Sequence, residues 1–165
     1  MPILAADIQY RLSGGAANSN ANASLGGVIS STAAPSVLFD DVSSAEAVAG
    51  LVEYRCVYVR NNHGSLSMLD PCRLFVQANT SSATTTLAIG LGTSAQGGTE
   101  QTVANEGTAP SGVSFSEPAD FASGVSLGAI PAGGHRAVWL RRTITAGTSA
   151  VNDTYNLRTT CDTNP

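Results

Sequence analysis

Three cysteines, Cys56, Cys72 and Cys161, are the residues of this 165-residue sequence best suited to covalent or metal chemistry. They show no Cys-x-x-Cys spacing, and because a structural zinc site needs four closely spaced ligands, we expect no zinc site. Cys56 and Cys72 lie on strands predicted to be neighbours, which would allow a disulfide between them. The alternatives are that all three are buried free thiols, or that Cys161, close to the carboxyl terminus, forms a bond to a neighbouring chain.

The two histidines, His63 and His135, both lie beside glycine in predicted turns. A Ser-His-Asp site would need one of them, but no Gly-x-Ser-x-Gly motif occurs between a strand and a helix. We therefore predict no catalytic residues and no enzymatic activity. The acid pairs, Asp40–Asp41 and Glu117 with Asp120, lack the spacing of a calcium loop. The sequence also contains no lysine, which excludes a Walker-type phosphate loop, so we expect neither a metal nor a cofactor.

Arg141 and Arg142 follow the bulkiest apolar run of the sequence, Ala137–Leu140, which contains the only tryptophan, Trp139. Side chains alternate along a strand, so the pair should place one guanidinium on each side of a sheet. One of them would then point to the interior or to a partner, where arginine is favoured for bidentate pairing with carboxylates. The alternative is that the strand has already reached the end of the sheet. Arg141, Arg142 and Cys161 are our candidates for contacts between subunits.

The elements that position these residues are predicted to be strands. Alternating or continuous apolar runs predict strands at Ile8–Leu12, Val37–Phe39, Leu51–Arg60, Arg73–Ala78, Thr84–Leu91, Val113–Phe115 and Thr154–Cys161. Pro71 should lie at or before the start of its strand, because proline cannot donate to a ladder. Gly124–Ile144 predicts two central strands joined by a tight corner, and the other strands should pack on them.

The remaining segments are polar or short. Asp40–Gly50 predicts a single helical turn, with Ser43 as its cap and Glu46 at the third position after it. Two long polar loops, Gly14–Ala34 and Gly92–Gly112, contain short candidate strands. Loops of about 20 residues without structure are unusual in a compact domain. We therefore consider the amino-terminal segment 1–7 and loop 14–34 as an extended arm.

Seven to nine short strands with almost no helix predict an all-β fold. We expect a single domain over residues 1–165, built as an antiparallel two-sheet β-sandwich of the immunoglobulin-like or jelly-roll type with long polar loops. A net charge of −4 without a basic patch argues against nucleic-acid binding. No apolar run reaches about 18 residues and the start has no basic n-region, so neither a membrane span nor a signal peptide is expected.

Three segments carry a resemblance to a known class of proteins: Glu53–Leu69, Thr84–Ser116 and Leu127–Gly147. They resemble small β-sandwich virion structural proteins of tailed bacteriophages and prophages. The resemblance covers most of the chain from Ile8 onward and carries no catalytic motif. It implies a non-enzymatic protein, made in the bacterial cytoplasm and present in many copies on the virion. Its implied partners are the major capsid protein or other virion proteins and further copies of itself, as a dimer or trimer.

Within this class, the expected role is a capsid decoration or cement protein that binds the head surface and stabilises the shell. A neck, collar or tail-accessory protein is the alternative. The two long loops, 14–34 and 92–112, are the expected contact segments. A carbohydrate-binding module or adhesin is a further alternative, but the position of Trp139 inside an apolar run and an aromatic content of 5% weigh against it. A hydrolase on a β scaffold is the weakest hypothesis.

Overall fold

The structure, a computed structural model, describes residues 3–79, 84–149 and 154–163. Its strands are β1 (Ile8–Leu12), β2 (Gly26–Gly27), β3 (Leu51–Asn61), β4 (Met68–Asn79), β5 (Thr85–Leu91), β6 (Glu100–Thr102), β7 (Phe115–Ser116), β8 (Val125–Ser126), β9 (His135–Ile144) and β10 (Tyr155–Thr163). Its helical elements are α1 (Ser44–Ala49) and the 3-10 turns Ala5–Asp7 and Ala21–Ala23. The all-β prediction is confirmed.

The strands form two main sheets, and every pairing is antiparallel. A five-stranded sheet has the order β1-β3-β9-β5-β7, a three-stranded sheet has the order β10-β4-β8, and β2 pairs with β6. The longest continuous pairing joins β3 to β9, from Leu51 opposite Ile144 to Arg60 opposite His135. These two strands lie at the centre because their apolar residues occupy both faces, so each face requires a cover.

The three-stranded sheet covers the inner face of the five-stranded sheet. The core between them is aliphatic and includes residues from β3, β4, β5 and β9: Val57, Val59, Met68, Cys72, Leu74, Val76, Leu87, Ile89, Val138 and Leu140. Alternate residues of one strand face this core, as the period of two requires. This arrangement of two packed layers is sandwich-like, as predicted.

The two long loops cover the outer face of the five-stranded sheet. That face presents Cys56, Tyr58 and the fully buried Trp139. The Tyr58 hydroxyl donates to the Gly27 carbonyl at 2.5 Å and accepts from the Glu100 amide at 3.0 Å, which ties both loops to the sheet. At Gly26 a Cβ would lie 1.8 Å from a backbone oxygen of β6, so only glycine permits the β2–β6 contact.

Loop 14–34 therefore packs against its own sheet and does not extend as an arm. The buried hydroxyls of Ser13 and Ser24 both donate to the Cys56 carbonyl, at 2.8 and 2.6 Å. The Ser24 carbonyl in turn accepts from the Cys56 amide at 2.8 Å. These hydrogen bonds satisfy the backbone amide and carbonyl of Cys56 on the edge of β3, where β1 no longer pairs with the strand. Of the amino-terminal segment 1–7, residues 1 and 2 lie outside the described residues.

Three local predictions are wrong. β8 and β9 lie in different sheets, so the corner between them connects two layers and does not form a hairpin. Pro71 lies inside β4, where three β4 residues, 70–72, stand opposite one residue of β10, so the missing amide is not required by the ladder. Residues 37–39 form no strand, and only Phe39 among them is a bend. The capped turn is confirmed: Ser43 and Glu46 form a capping box on α1.

Candidate functional site

Five charged residues meet on the inner face of the five-stranded sheet, and we call them the charged cluster: Asp40, Glu53, Arg55, Glu106 and Arg142. Glu53 and Arg55 belong to β3 and Arg142 belongs to β9, directly opposite Glu53 in the register. These three residues are buried, with 1, 0 and 7% of their surface exposed. Strand alternation forces them onto the face that the core occupies, so they must find partners there.

Each buried charge of the cluster has a partner of opposite sign. The Arg142 guanidinium donates to Glu53 Oε2 at 2.6 Å and to the Asp40 carbonyl at 2.6 Å. The Arg55 guanidinium donates to Glu106 Oε2 at 2.5 Å and to Asn22 Oδ1 at 3.0 Å. Branched contacts of this kind, from one guanidinium to two acceptor groups, suit the planar fork of arginine.

Phe39 lies between the two guanidinium groups. Its ring centroid is 5.4 Å from Arg55 Cζ and 4.9 Å from Arg142 Cζ, which are cation–π distances. The segment that carries Phe39 and Asp40 is therefore attached to the sheet by both aromatic and ionic contacts. Residues 37–39, predicted as a strand, instead serve as one wall of this region.

Carboxylate oxygens of Asp40, Glu53 and Glu106 lie within 4.8 Å of one another, which is close enough to share a cation. Each of these three carboxylates is already paired with one of the two arginines, so ion pairing accounts for the arrangement. Burial raises the pKa of the Glu53 carboxyl above its ordinary value, and the adjacent Arg142 guanidinium opposes that effect. The cluster can therefore hold segments together electrostatically, and we assign it no metal.

A cavity of about 600 Å³ lies beside the charged cluster, between the segment 34–42 and β10. Its floor is the inner face of the five-stranded sheet, including Val57, Leu87 and Leu140, and Arg142 lies at its charged end. Pockets of roughly 300–1,000 Å³ are the usual size of small-molecule sites. The cavity exists because the three-stranded sheet covers only part of the five-stranded sheet.

The two arginines predicted to face opposite ways do so. Arg142 points inward to the charged cluster, whereas the Arg141 guanidinium lies on the outer face, 5.1 Å from the centroid of Phe115. The inward residue has its partners within the chain, and Arg141 is half-buried. The role of either residue in contacts between subunits stays a prediction. Glu53 and Arg55 were not identified from the sequence as members of a site. Their spacing of two residues from each other and from Val57 in β3 already placed them on the same face of the strand as Val57.

His135, predicted to lie in a turn, is instead the first residue of β9. His63 Nδ1 accepts the amides of Ser65 and Leu66, at 3.1 and 2.9 Å, within its turn. His135 packs edge-on against Tyr58 with 5.0 Å between ring centroids, and burial lowers its pKa. The single Gly-x-Ser-x-Gly match of the sequence, Gly124–Gly128, contains β8 and leads to no helix.

The predicted cysteine pairing is wrong. Cys72 is bonded to Cys161, and Cys56 is a buried free thiol. Cys56 faces the outer core, whereas Cys72 faces the core between the sheets, so the two thiols lie on opposite sides of the five-stranded sheet. Burial strongly raises the pKa of Cys56, which keeps it protonated. Cys161, expected as a candidate for a bond between chains, is thus used within the chain.

Trp139 is 0% exposed and lies beneath the two loops, so it offers no stacking surface to a sugar. Among the helices of the described residues, none has the length and apolar character needed to cross a membrane. No known family model, curated protein or solved structure matches this chain.

Proposed function

We propose that this protein is a non-enzymatic structural component of a tailed-bacteriophage virion, a decoration or cement protein that binds the head surface. The observation that carries the proposal is the pairing within the charged cluster. Arg142 and Arg55 hold their carboxylates in charge-assisted hydrogen bonds, which favours a fixed scaffold over a site that exchanges protons. The resemblance of three segments to virion proteins supplies the biological setting.

The contact surface we assign is the outward side of loops 14–34 and 92–112. Their inward sides are committed to Tyr58, Trp139 and Cys56, so only the outward sides are available to a partner. Val28, which is 46% exposed in the first loop, is an apolar residue on that side. Because the loops are already ordered by the sheet, binding to the shell would cost little additional conformational entropy.

The first test is whether the chain is part of the particle. Particles from a host that carries the gene should contain the chain in many copies by quantitative mass spectrometry, and labelled antibody should mark the heads. Label on necks or tails would instead identify the chain as a neck or tail protein. Gradient-purified particles without the chain would remove the proposed function.

The second test concerns the loop surface. Val28→Asp should weaken the binding of purified protein to particles that lack it by about tenfold or more, since a charge replaces an apolar contact. Val48→Asp is the matched control, because Val48 is 70% exposed on α1, outside both loops. Buried Trp139 fluorescence should stay unchanged in both variants. Equal binding by the two variants would show that the loop is not the contact surface.

A further inference from the structure

The outer edge of β10 has no neighbouring strand within the described part of the chain. β10 is the edge strand of the three-stranded sheet and pairs only with β4. From Leu157 to Asp162, no backbone group of another described residue outside β4 hydrogen-bonds to the main chain, and the Tyr10 hydroxyl contacts it at Thr159. A row of amide and carbonyl groups in this state is a template for a further strand.

β10 runs along this edge without interruption. Its register with β4 shifts twice, but at both places the additional residues belong to β4, at Gln77 and at 70–72. Edge strands are commonly protected by prolines, charged side chains or bulges of their own. β10 contains no proline and no bulge of its own, and its two charges have opposite signs, so an antiparallel second copy can match them. The Tyr10 hydroxyl, hydrogen-bonded with Thr159 Oγ1 at 2.7 Å, fixes β10 against β1. The edge is therefore both regular and held in place.

Two opposite charges lie on the exposed side of this strand. Arg158 and Asp162 are both exposed, and Thr160 lies midway between them. Four residues of a strand span about 13 Å, so the two charges cannot pair within one chain. Neither has an ion-pair partner among the residues that the structure describes.

We propose that β10 pairs antiparallel with β10 of a second copy, about a two-fold axis at Thr160. Arg158 of each copy then lies opposite Asp162 of the other, which forms two identical ion pairs. The two three-stranded sheets become one six-stranded sheet, and the interface is isologous, as a cyclic dimer requires. The dimer is a property of the isolated chain and does not depend on attachment to a particle.

The groove beside this edge supports the same arrangement. A depression of about 490 Å³ lies between the amino-terminal residues and β10, and its walls include Leu4, Ile8 and Leu157. Leu4 is 58% exposed, although it lines the same depression as half-buried Leu157. A second β10 would cover part of this apolar surface and would satisfy the edge of the sheet.

Sedimentation velocity and light scattering on the purified full chain test the pairing. The wild type should have twice the chain mass of 16.7 kDa at micromolar concentration. Arg158→Asp and Asp162→Arg should each weaken the dimer by about tenfold or more, since each puts like charges opposite at two symmetric positions. The double exchange should restore it. Glu117→Arg, an exposed change of the same size outside β10, should have no effect.

A cysteine placed on the axis gives an independent readout. Thr160→Cys should form a covalent dimer under mild oxidation, because residues opposite each other on paired strands have Cα atoms within disulfide range. Asn156→Cys, exposed on the same side of β10 but four residues from the axis, should not. A wild-type chain that is still monomeric at a concentration 100-fold above micromolar overturns the proposal. So does a double variant that dimerises as weakly as the single variants. Either result would leave the β10 edge available to a strand from a different protein.

Discussion

Replacing Glu100 with glutamine should destabilise the fold in a pH-dependent way. Glu100 begins β6, is 3% exposed, and has both carboxylate oxygens in use. Oε1 accepts from the Thr93 hydroxyl at 3.0 Å and Oε2 accepts from the Ser94 amide at 2.9 Å. Burial alone would raise its pKa, but these hydrogen bonds stabilise the ionised form and lower the pKa from 4.5 to about 2.

The size of the effect follows from that pKa. A shift from 4.5 to about 2 corresponds to about 3 kcal/mol of folding stability at neutral pH. Glutamine can still accept from the Ser94 amide and turn its NH₂ group toward the Thr93 hydroxyl, which can reverse and accept. Both bonds then lose the charge of the carboxylate, and neutral hydrogen bonds are about half as strong as charge-assisted ones. Glu100→Gln should therefore lose about 2–3 kcal/mol at pH 7.

The pH dependence has a definite sign. Because the folded-state pKa of Glu100 lies below its unfolded value, the contribution is fully present above about pH 4.5 and is lost as pH falls toward 2. The difference between wild type and Glu100→Gln should therefore shrink as the solution is acidified through this window. Below it, the wild-type carboxyl is protonated and has lost its advantage.

Urea unfolding followed by tryptophan fluorescence at pH 7, 5, 4 and 3 measures this difference directly. Glu117→Gln, at an exposed acid outside the strands, is the matched control and should change the free energy of unfolding by less than about 0.5 kcal/mol. A loss for Glu100→Gln that matches this control, or one that stays constant from pH 7 to pH 3, would refute the reasoning.

Two further predictions concern the charged cluster and the thiols. Arg142→Met leaves the Glu53 carboxylate buried without its partner, so it should lose about 3–5 kcal/mol in urea unfolding. Arg141→Met should lose less than about 1 kcal/mol, because Arg141 makes only a half-buried cation–π contact; equal losses would contradict the placement of the two residues on opposite faces. Alkylation in denaturant should modify one cysteine, Cys56, before reduction and three after it, by intact mass. Three modifications without reduction would exclude the disulfide.

Local patterns in the sequence determined the elements themselves. The alternation in Leu51–Arg60 predicted β3 and the two faces it presents, because the period of a strand is a property of the backbone alone. The capping box of Ser43 and Glu46 is likewise local, and the helix begins where it predicts. The opposite orientations of Arg141 and Arg142 follow from the same period of two.

Only the tertiary structure decided which elements are neighbours. The assignment of β3 and β4 to different sheets placed Cys72 beside Cys161, 89 residues away, and left Cys56 on the opposite face. The charged cluster joins Asp40 to Arg142, 102 residues away, and Glu106 to Arg55, 51 residues away. Such contacts depend on how the sheets pack on each other. The alternation of residues along one strand does not specify this packing, because burying an apolar face gains about the same free energy whichever segment covers it.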